Sequence, residues 1–158
     1  MIEDYITCKG IVTMTVQDLD GNIIRKEVFN NAVLRTGREA IAASLANKYG
    51  VSFENYISNM IFGDGGQDGE QLKYVNSSRT GLFGVTRASK NVVSVIDSVN
   101  KFQVTYTAIL SYEDGNGYTL NEMALQLENG DLFSMATFGG IDKTSAMQIT
   151  WQWAVSFL

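Results

Sequence analysis

Histidine and proline are absent from the 158-residue sequence, and cysteine occurs once, at Cys8. Without histidine the chain lacks the commonest general base and the commonest metal ligand of proteins. A single cysteine excludes an internal disulfide, so the fold must be held together by its core. The absence of proline suits long strands whose backbone amides all donate to neighbouring strands. Together these absences favour a β-rich, non-enzymatic protein.

Charge and long apolar runs are also scarce. Charged residues make up 18% of the chain, below the usual share of about 25%, so we expect partner proteins to cover part of the surface. The 12 basic residues are scattered and the net charge is -5, which argues against a nucleic-acid ligand. No run approaches the roughly 18 apolar residues that span a bilayer, and the acidic start is unlike a signal peptide. We expect synthesis in the cytoplasm and no membrane partner.

The N-terminal part predicts a hairpin followed by a helix. Two runs rich in β-branched residues, 5–17 and 23–29, flank a cluster of turn residues and predict a β-hairpin. Thr36 and Glu39 have the spacing of a helix-capping pair and predict a helix over 37–48. Apolar residues recur along that helix at the three-and-four spacing of one buried stripe. The stripe comprises Ile41, Ala42, Leu45, Ala46 and Tyr49.

The remaining chain predicts further strands, and the last of them is the most regular. The predicted strands cover residues 56–62, 72–75, 82–88, 91–96, 102–112, 118–127, 132–138 and 147–158. Within the last strand large apolar residues alternate with small or polar ones, as in a strand with one buried face. Core positions are expected at Ile149, Trp151, Trp153 and Phe157. A flat face that meets other subunits is expected at Gln148, Thr150 and Gln152.

These elements predict one domain over residues 1–158, since a chain of this length can bury one substantial core. The predicted architecture is mainly β, an antiparallel β-sandwich with one amphipathic helix packed on it. Within this domain the N-terminal hairpin and helix are expected over 1–50, and the main sandwich over 51–158.

The stretch 63–69 holds four glycines and two aspartates and is expected to be an exposed loop. Asp64, Asp68 and Glu70 are weak candidates for calcium ligands. The positions that an EF-hand loop requires are not met, because Gly66 and Val75 stand where it would place carboxyl-bearing or amide ligands. We expect no resident metal.

No catalytic residues and no cofactor are expected, because most acids lie in turns and no motif for a nucleophile or a phosphate is present. Glu122 lies inside a strand pattern, where it is expected to pair with a lysine such as Lys143 or with a backbone amide. Trp151 and Trp153 share a strand face and could stack on sugars, although core packing is the commoner use of such a pair.

The order of several short motifs resembles small virion structural proteins of tailed bacteriophages. These motifs are Asn31-Ala32, Ile41-Ala42-Ala43-Ser44-Leu45-Ala46, Phe62-Gly63-Asp64-Gly65-Gly66, Asn121-Glu122-Met123-Ala124-Leu125, Gly130-Asp131-Leu132-Phe133, Thr137-Phe138, Lys143 and Ile149-Thr150-Trp151. They span nearly the whole chain, whereas the region 71–100 matches nothing in that family.

The resemblance implies a virion protein that is made in the host cytoplasm and packs against other virion proteins of the capsid or tail. A capsid-bound decoration or cement subunit is the leading reading, and a tail, neck or fibre-attachment protein is the alternative. A carbohydrate- or calcium-binding β module is a further alternative. Homo-oligomerisation is expected, with a trimer favoured by analogy.

Overall fold

The computed structural model describes residues 5–46 and 54–158. Within these residues the chain forms two five-stranded antiparallel sheets, one helix and a small two-stranded ribbon. The predicted antiparallel sandwich with a single helix is confirmed. The elements are β1 Cys8–Gln17, β2 Ile23–Asn30, β3 Ala32–Val33, α1 Arg35–Ala46, β4 Ile57–Gly63, β5 Gln67–Asp68, β6 Gln71–Leu72, β7 Thr86–Asn91, β8 Val93–Ile96, β9 Gln103–Leu110, β10 Thr119–Leu127, β11 Leu132–Asp142 and β12 Gln148–Phe157.

Sheet A has the strand order β2-β1-β12-β9-β8, and sheet B has the order β3-β11-β10-β4-β7. The last strand, β12, is therefore the centre of sheet A, paired along its length with β1 on one side and with β9 on the other. The division into parts over 1–50 and 51–158 stays a prediction. The hairpin β1–β2 belongs to the same sheet as β12.

The main core lies between the two sheets and is built around β12. Ile149, Trp151 and Trp153 have no exposed surface, and Phe157 is half-buried against the same cluster. Trp151 packs against Phe62 and Phe138 of sheet B, with ring centroids 5.0 and 5.1 Å from its own. The alternation of β12 thus places one of its faces in this core and the other on the outside of sheet A.

The opposite side of sheet B is covered by residues 64–85, which we call the covering segment. A second apolar cluster forms beneath it, in which Val75, Leu82 and Phe83 of the segment meet Ile61 of β4 and Ala124 of β10. The strands predicted over 72–75 and 82–88 are wrong in extent, because here the structure has only β6 and the start of β7. Buried side chains and hydrogen bonds, rather than pairing with a neighbouring strand, attach this segment to sheet B. Sheet B is thus packed on both faces by its own chain.

The helix departs from its predicted start. It begins at Arg35, so Thr36 lies inside the first turn, where its hydroxyl donates to the Leu132 carbonyl of β11. Glu39 pairs with Arg35 at 2.9 Å and does not reach back to cap the backbone. The capping prediction was wrong, because Thr36 binds a neighbouring strand rather than its own helix.

The predicted apolar stripe was also wrong. The buried residues of α1 are Gly37 and Ala40, while Ile41 is half-buried and Leu45 is 81% exposed. A Cβ atom at Gly37 would lie 2.3 Å from the Phe133 carbonyl oxygen, so this glycine permits the helix to touch β11 directly. Only the first turns of the helix pack on the sheet. The predicted end at Lys48 and the stripe position Tyr49 lie outside the described residues.

Candidate interaction surface

The outer face of sheet A is the broad surface that the fold leaves uncovered in the described part of the chain. Register across the strands sorts its side chains into rows. The rows are Val28–Thr13–Gln152–Thr107–Val93, Asn30–Ile11–Ala154–Thr105–Val95, Lys26–Thr15–Thr150–Ile109, Lys9–Ser156–Gln103 and Ile23–Gln17–Gln148. Because side chains alternate along each strand, the residues between these positions point to the inner side of the sheet.

Gln148, Thr150 and Gln152, the residues predicted to meet other subunits, all lie on this face. The structure brings them together with residues of four other strands. Gln152 stands in the middle row and is exposed, while Gln148 and Thr150 are half-buried by their neighbours. Their role at an interface stays a prediction.

Among the described residues, the paired positions of this face hold no carboxylate, and Asp97, whose N–H donates to the Gln103 carbonyl at 2.9 Å, follows directly after β8 at the edge of the face. The charged residues at the paired positions are Lys9 and Lys26, near opposite ends of the face. Aliphatic side chains are exposed along both edge strands, at 63% for Val28, 67% for Val93 and 59% for Val95. These exposed aliphatic side chains lie on either side of a centre of threonine and glutamine side chains.

Sequence reasoning missed the aliphatic members of this face. Val28, Val93 and Val95 join it only through the strand order of sheet A, which alternation along one strand does not specify. One local signal was present at Ile109, the residue that breaks the apolar–polar alternation of the run 102–112. It is 44% exposed on the outer face, beside Thr150.

The glycine-rich stretch 63–69 is less exposed than predicted. Gly63 and Gly66 are buried, and a Cβ atom at Gly66 would lie 2.3 Å from the Asn121 carbonyl oxygen. The backbone N–H of Gly66 donates to the Asn121 side chain at 2.7 Å. The prediction of an exposed loop was therefore wrong for this half of the stretch, where the glycines allow close contact with β10.

Glu122 holds the covering segment against sheet B. It is fully buried, and its Oε1 accepts hydrogen bonds from the backbone N–H groups of Gly65 and Gly84 at 2.9 and 2.8 Å. Its Oε2 accepts a third bond, from the N–H of Phe83, at 2.7 Å. The predicted backbone-amide partner is confirmed, and the alternative with Lys143 is wrong. The Lys143 ammonium instead donates to Asn116 and to the Thr144 carbonyl, at 2.9 and 3.0 Å.

The three weak metal candidates are not gathered at one point. The Asp64 carboxylate binds Arg87 at 2.6 Å, and this bond lowers the pKa of Asp64. Asp68 and Glu70, further along the chain, are exposed to solvent. Over 5–46 and 54–158, no three acidic, cysteine or histidine side chains lie close enough to share a metal ion. The structure gives Asp64 the role of anchoring Arg87 and, through the Val85 N–H, the covering segment.

An apolar groove of about 460 Å³ opens between α1 and the inner side of strands β8 and β9. Ile41, Ile96, Val104 and Phe157 contribute to its walls, and no carboxylate or ammonium group is among its described lining residues. Tyr106 also lines it, and burial raises the pKa of that phenol to about 12. The groove therefore offers apolar contact and no group suited to acid–base chemistry near neutral pH.

Three further side chains that could have had a chemical role, one thiol and two indoles, are half-buried or fully buried. Burial raises the pKa of the half-buried Cys8 thiol, which leaves less of the nucleophilic thiolate. Trp151 and Trp153 have no exposed surface, so neither indole can stack on a sugar. Among the described residues, no helix is long and apolar enough to cross a membrane.

We expect the stability of the protein to decrease in acid through Asp114. Hydrogen bonds from Lys90 and, to a lesser extent, from Ser111 lower the pKa of its carboxyl group to about 2. A carboxyl whose pKa is lowered by folding stabilises the protein above its unfolded pKa of about 4, and this contribution is lost as the pH falls towards 2. Asp114→Asn should therefore lower the urea midpoint at pH 6, and its difference from the parent should close between about pH 4 and pH 2. A difference that stays constant over that interval would contradict the assignment.

Comparison with known proteins gives one match. A family model described as phage tail-collar fibre protein, N-terminal, matches residues 26–155. The matched region runs from β2 almost to the end of β12 and so includes strands of both sheets. No curated protein and no solved structure shows significant similarity to the chain.

Proposed function

Because the chain belongs to the phage tail-collar fibre protein N-terminal family, we propose that it is an attachment module that joins a tail fibre to neighbouring tail proteins. The family makes it a structural protein of a tailed-phage virion, as the resemblance of its motifs implied. The sequence alone favoured a capsid-bound subunit and gave a tail or fibre-attachment protein as the alternative. The family match favours that alternative.

The single observation that carries the proposal is this match over 26–155. The outer face of sheet A supports it, because an attachment module needs a broad, preformed surface on a rigid scaffold. Strands β1, β9 and β12 supply that rigidity, since each is hydrogen-bonded on both sides.

We propose further that the protein has no catalytic activity and no cofactor, as expected of a structural family. Its partners on this proposal are other tail proteins and copies of itself, with Gln148, Thr150 and Gln152 in the contact. A trimer remains the favoured assembly by analogy, and synthesis in the host cytoplasm precedes assembly into the virion. Neither nucleic acid nor a membrane is among the proposed partners.

Separation of phage heads from tails tests the tail assignment directly. Purified particles would be disrupted into head and tail fractions, and peptides of this chain would be quantified in each by mass spectrometry. We expect the protein in the tail or fibre fraction, at a constant ratio to other tail proteins. Recovery of the protein with the heads alone would overturn the proposal and favour the capsid-bound hypothesis.

A further inference from the structure

We propose that the free edge of β8 binds a short, uncharged, extended segment of another protein, which adds a further strand to sheet A. β8 is an edge strand of this sheet and pairs with β9 alone. Exposed edges commonly carry a charge, a proline or a bulge that prevents another strand from pairing. β8 has none of these, because its residues 93–96 are uncharged and its register with β9 is regular.

The backbone groups that β8 leaves unpaired belong to Ser94 and Ile96. In an antiparallel pair, residues that exchange hydrogen bonds alternate with residues that do not. The Asp97 N–H donates to the Gln103 carbonyl at 2.9 Å, so Val95, two residues earlier, also directs its backbone groups towards β9. Ser94 and Ile96 direct theirs to the open side, where no described residue bonds to them. Two donors and two acceptors are therefore available to a further strand.

The apolar groove lies on the inner side of the same two residues. Ser94 and Ile96 both line it, together with residues of α1 and β9. Residues directly opposite each other in an antiparallel pair have their side chains on the same face. A residue that bonds to the backbone of Ser94 or Ile96 would therefore direct its own side chain towards the groove. Free backbone groups beside a pocket for alternate side chains are the two components of a strand-addition site.

The groove determines the chemistry of the added strand. Its walls include Ile41, Val104 and Phe157, and its described lining holds no carboxylate or ammonium group. A charged side chain there would lose its hydration without gaining an opposite charge. The added strand must therefore carry large apolar side chains at every second position.

The described edge strands of a second copy do not meet this requirement. Both faces of β2 are charged, with Arg25 and Glu27 on one and Lys26 on the other. Both faces of β7 are charged as well, through Arg87 and Lys90, and β3 has only two residues. A second β8 is uncharged but would bring a single large side chain, its isoleucine, to the inner side. A strand from another protein fits better, and that this protein belongs to the tail rests on the proposed function.

Nuclear magnetic resonance with a model peptide tests the site on the full chain. The probe is acetyl-Thr-Leu-Thr-Val-Thr-Leu-Thr-amide, whose apolar side chains share one face when it is extended. With millimolar peptide, hydrogen exchange at the N–H groups of Ser94 and Ile96 should slow by about 10-fold or more. The amides of β2, the other edge of sheet A, should not respond.

Two pairs of variants separate the backbone contribution from that of the groove. Ser94→Pro removes the outward N–H without removing a bond to β9, and edge strands tolerate proline at such positions. Its affinity for the peptide should fall about 10-fold or more, whereas Ser94→Ala, which keeps the N–H, should bind like the parent. Ile96→Asp brings a charge to the groove and should weaken binding similarly, whereas Val99→Asp, at an exposed position after β8, should not.

Circular dichroism would establish that the variants are folded. A parent whose Ser94 and Ile96 amides do not respond to the peptide overturns the inference, and so does binding that neither Ser94→Pro nor Ile96→Asp weakens. Slow exchange of these amides without peptide, lost on dilution, would assign the edge to a second copy and overturn the choice of partner. These results do not depend on the separation of heads from tails, so failure of the tail assignment remains distinguishable.

Discussion

Replacement of Trp151 by alanine is expected to lower the free energy of unfolding by about 3 to 5 kcal/mol. Trp151 has no exposed surface and lies at the centre of the core, in contact with the rings of Phe62 and Phe138. Truncation removes the transfer free energy of the indole and leaves a cavity that two rigid sheets cannot close. Domains of this size are stable by only about 5 to 15 kcal/mol, so the loss is a large fraction of the total.

This loss is measured by urea unfolding that is monitored by far-ultraviolet circular dichroism, a signal that does not depend on the tryptophan being removed. Gln71→Ala, at an exposed position of the covering segment and away from the outer face of sheet A, is the matched control. A surface truncation of this kind changes the free energy of unfolding by no more than about 0.5 kcal/mol. If Trp151→Ala were as stable as the parent, the two faces of β12 would have been assigned the wrong way round.

Glu122→Gln is expected to lower the free energy of unfolding by about 2 to 3 kcal/mol, although it preserves the shape of the side chain. The carboxylate accepts three backbone N–H groups, two at Oε1 and one at Oε2. Glutamine keeps one oxygen, but its NH₂ group is a donor and would face an N–H across a former hydrogen bond. Because the site is buried, water cannot replace the lost acceptor.

Hydrogen exchange of single amides distinguishes this mechanism from a general loss of stability. The N–H groups of Gly65, Phe83 and Gly84 should exchange faster in Glu122→Gln, whereas those of β1 and β12 should keep their protection until global unfolding. Glu113→Gln, the same change at an exposed position, is the control and should leave these amides protected. Unchanged protection at all three amides of the Glu122→Gln variant would show that the carboxylate does not hold the covering segment.

The sequence predicted the sandwich because side-chain alternation directly encodes which face of a strand is buried. Trp151 and Gln152 are neighbours in sequence, yet one is fully buried and the other is exposed. Alternation says nothing about strand order, and so Val28 and Val93 could not be assigned to the same face as Gln152. The prediction of a buried stripe along the helix was wrong for a related reason. The spacing of apolar residues predicts an apolar helix face, but it does not predict how many turns of that face contact the sheet.

The covering segment was the least predictable part of the fold. Its attachment depends on contacts between residues far apart in sequence, such as Gly65 with Gly84 and both with Glu122. The sequence around Gly65 contains no local pattern that indicates this packing, because it has the same composition as a flexible glycine-rich loop. The isolated Glu122 within a strand pattern was the one signal that pointed to such a contact.

The covering segment also matters for attachment, because it packs on sheet B, whereas within residues 5–46 and 54–158 nothing packs on the outer face of sheet A. Imaging of this protein within the intact phage particle tests that account most directly. We predict density for the module at the tail-fibre attachment region, with Gln152 and Thr107 on the outer face of sheet A buried against a neighbouring tail protein or another copy of the chain. Density on the capsid, or a tail-bound module whose outer sheet A face is open to solvent, would contradict it.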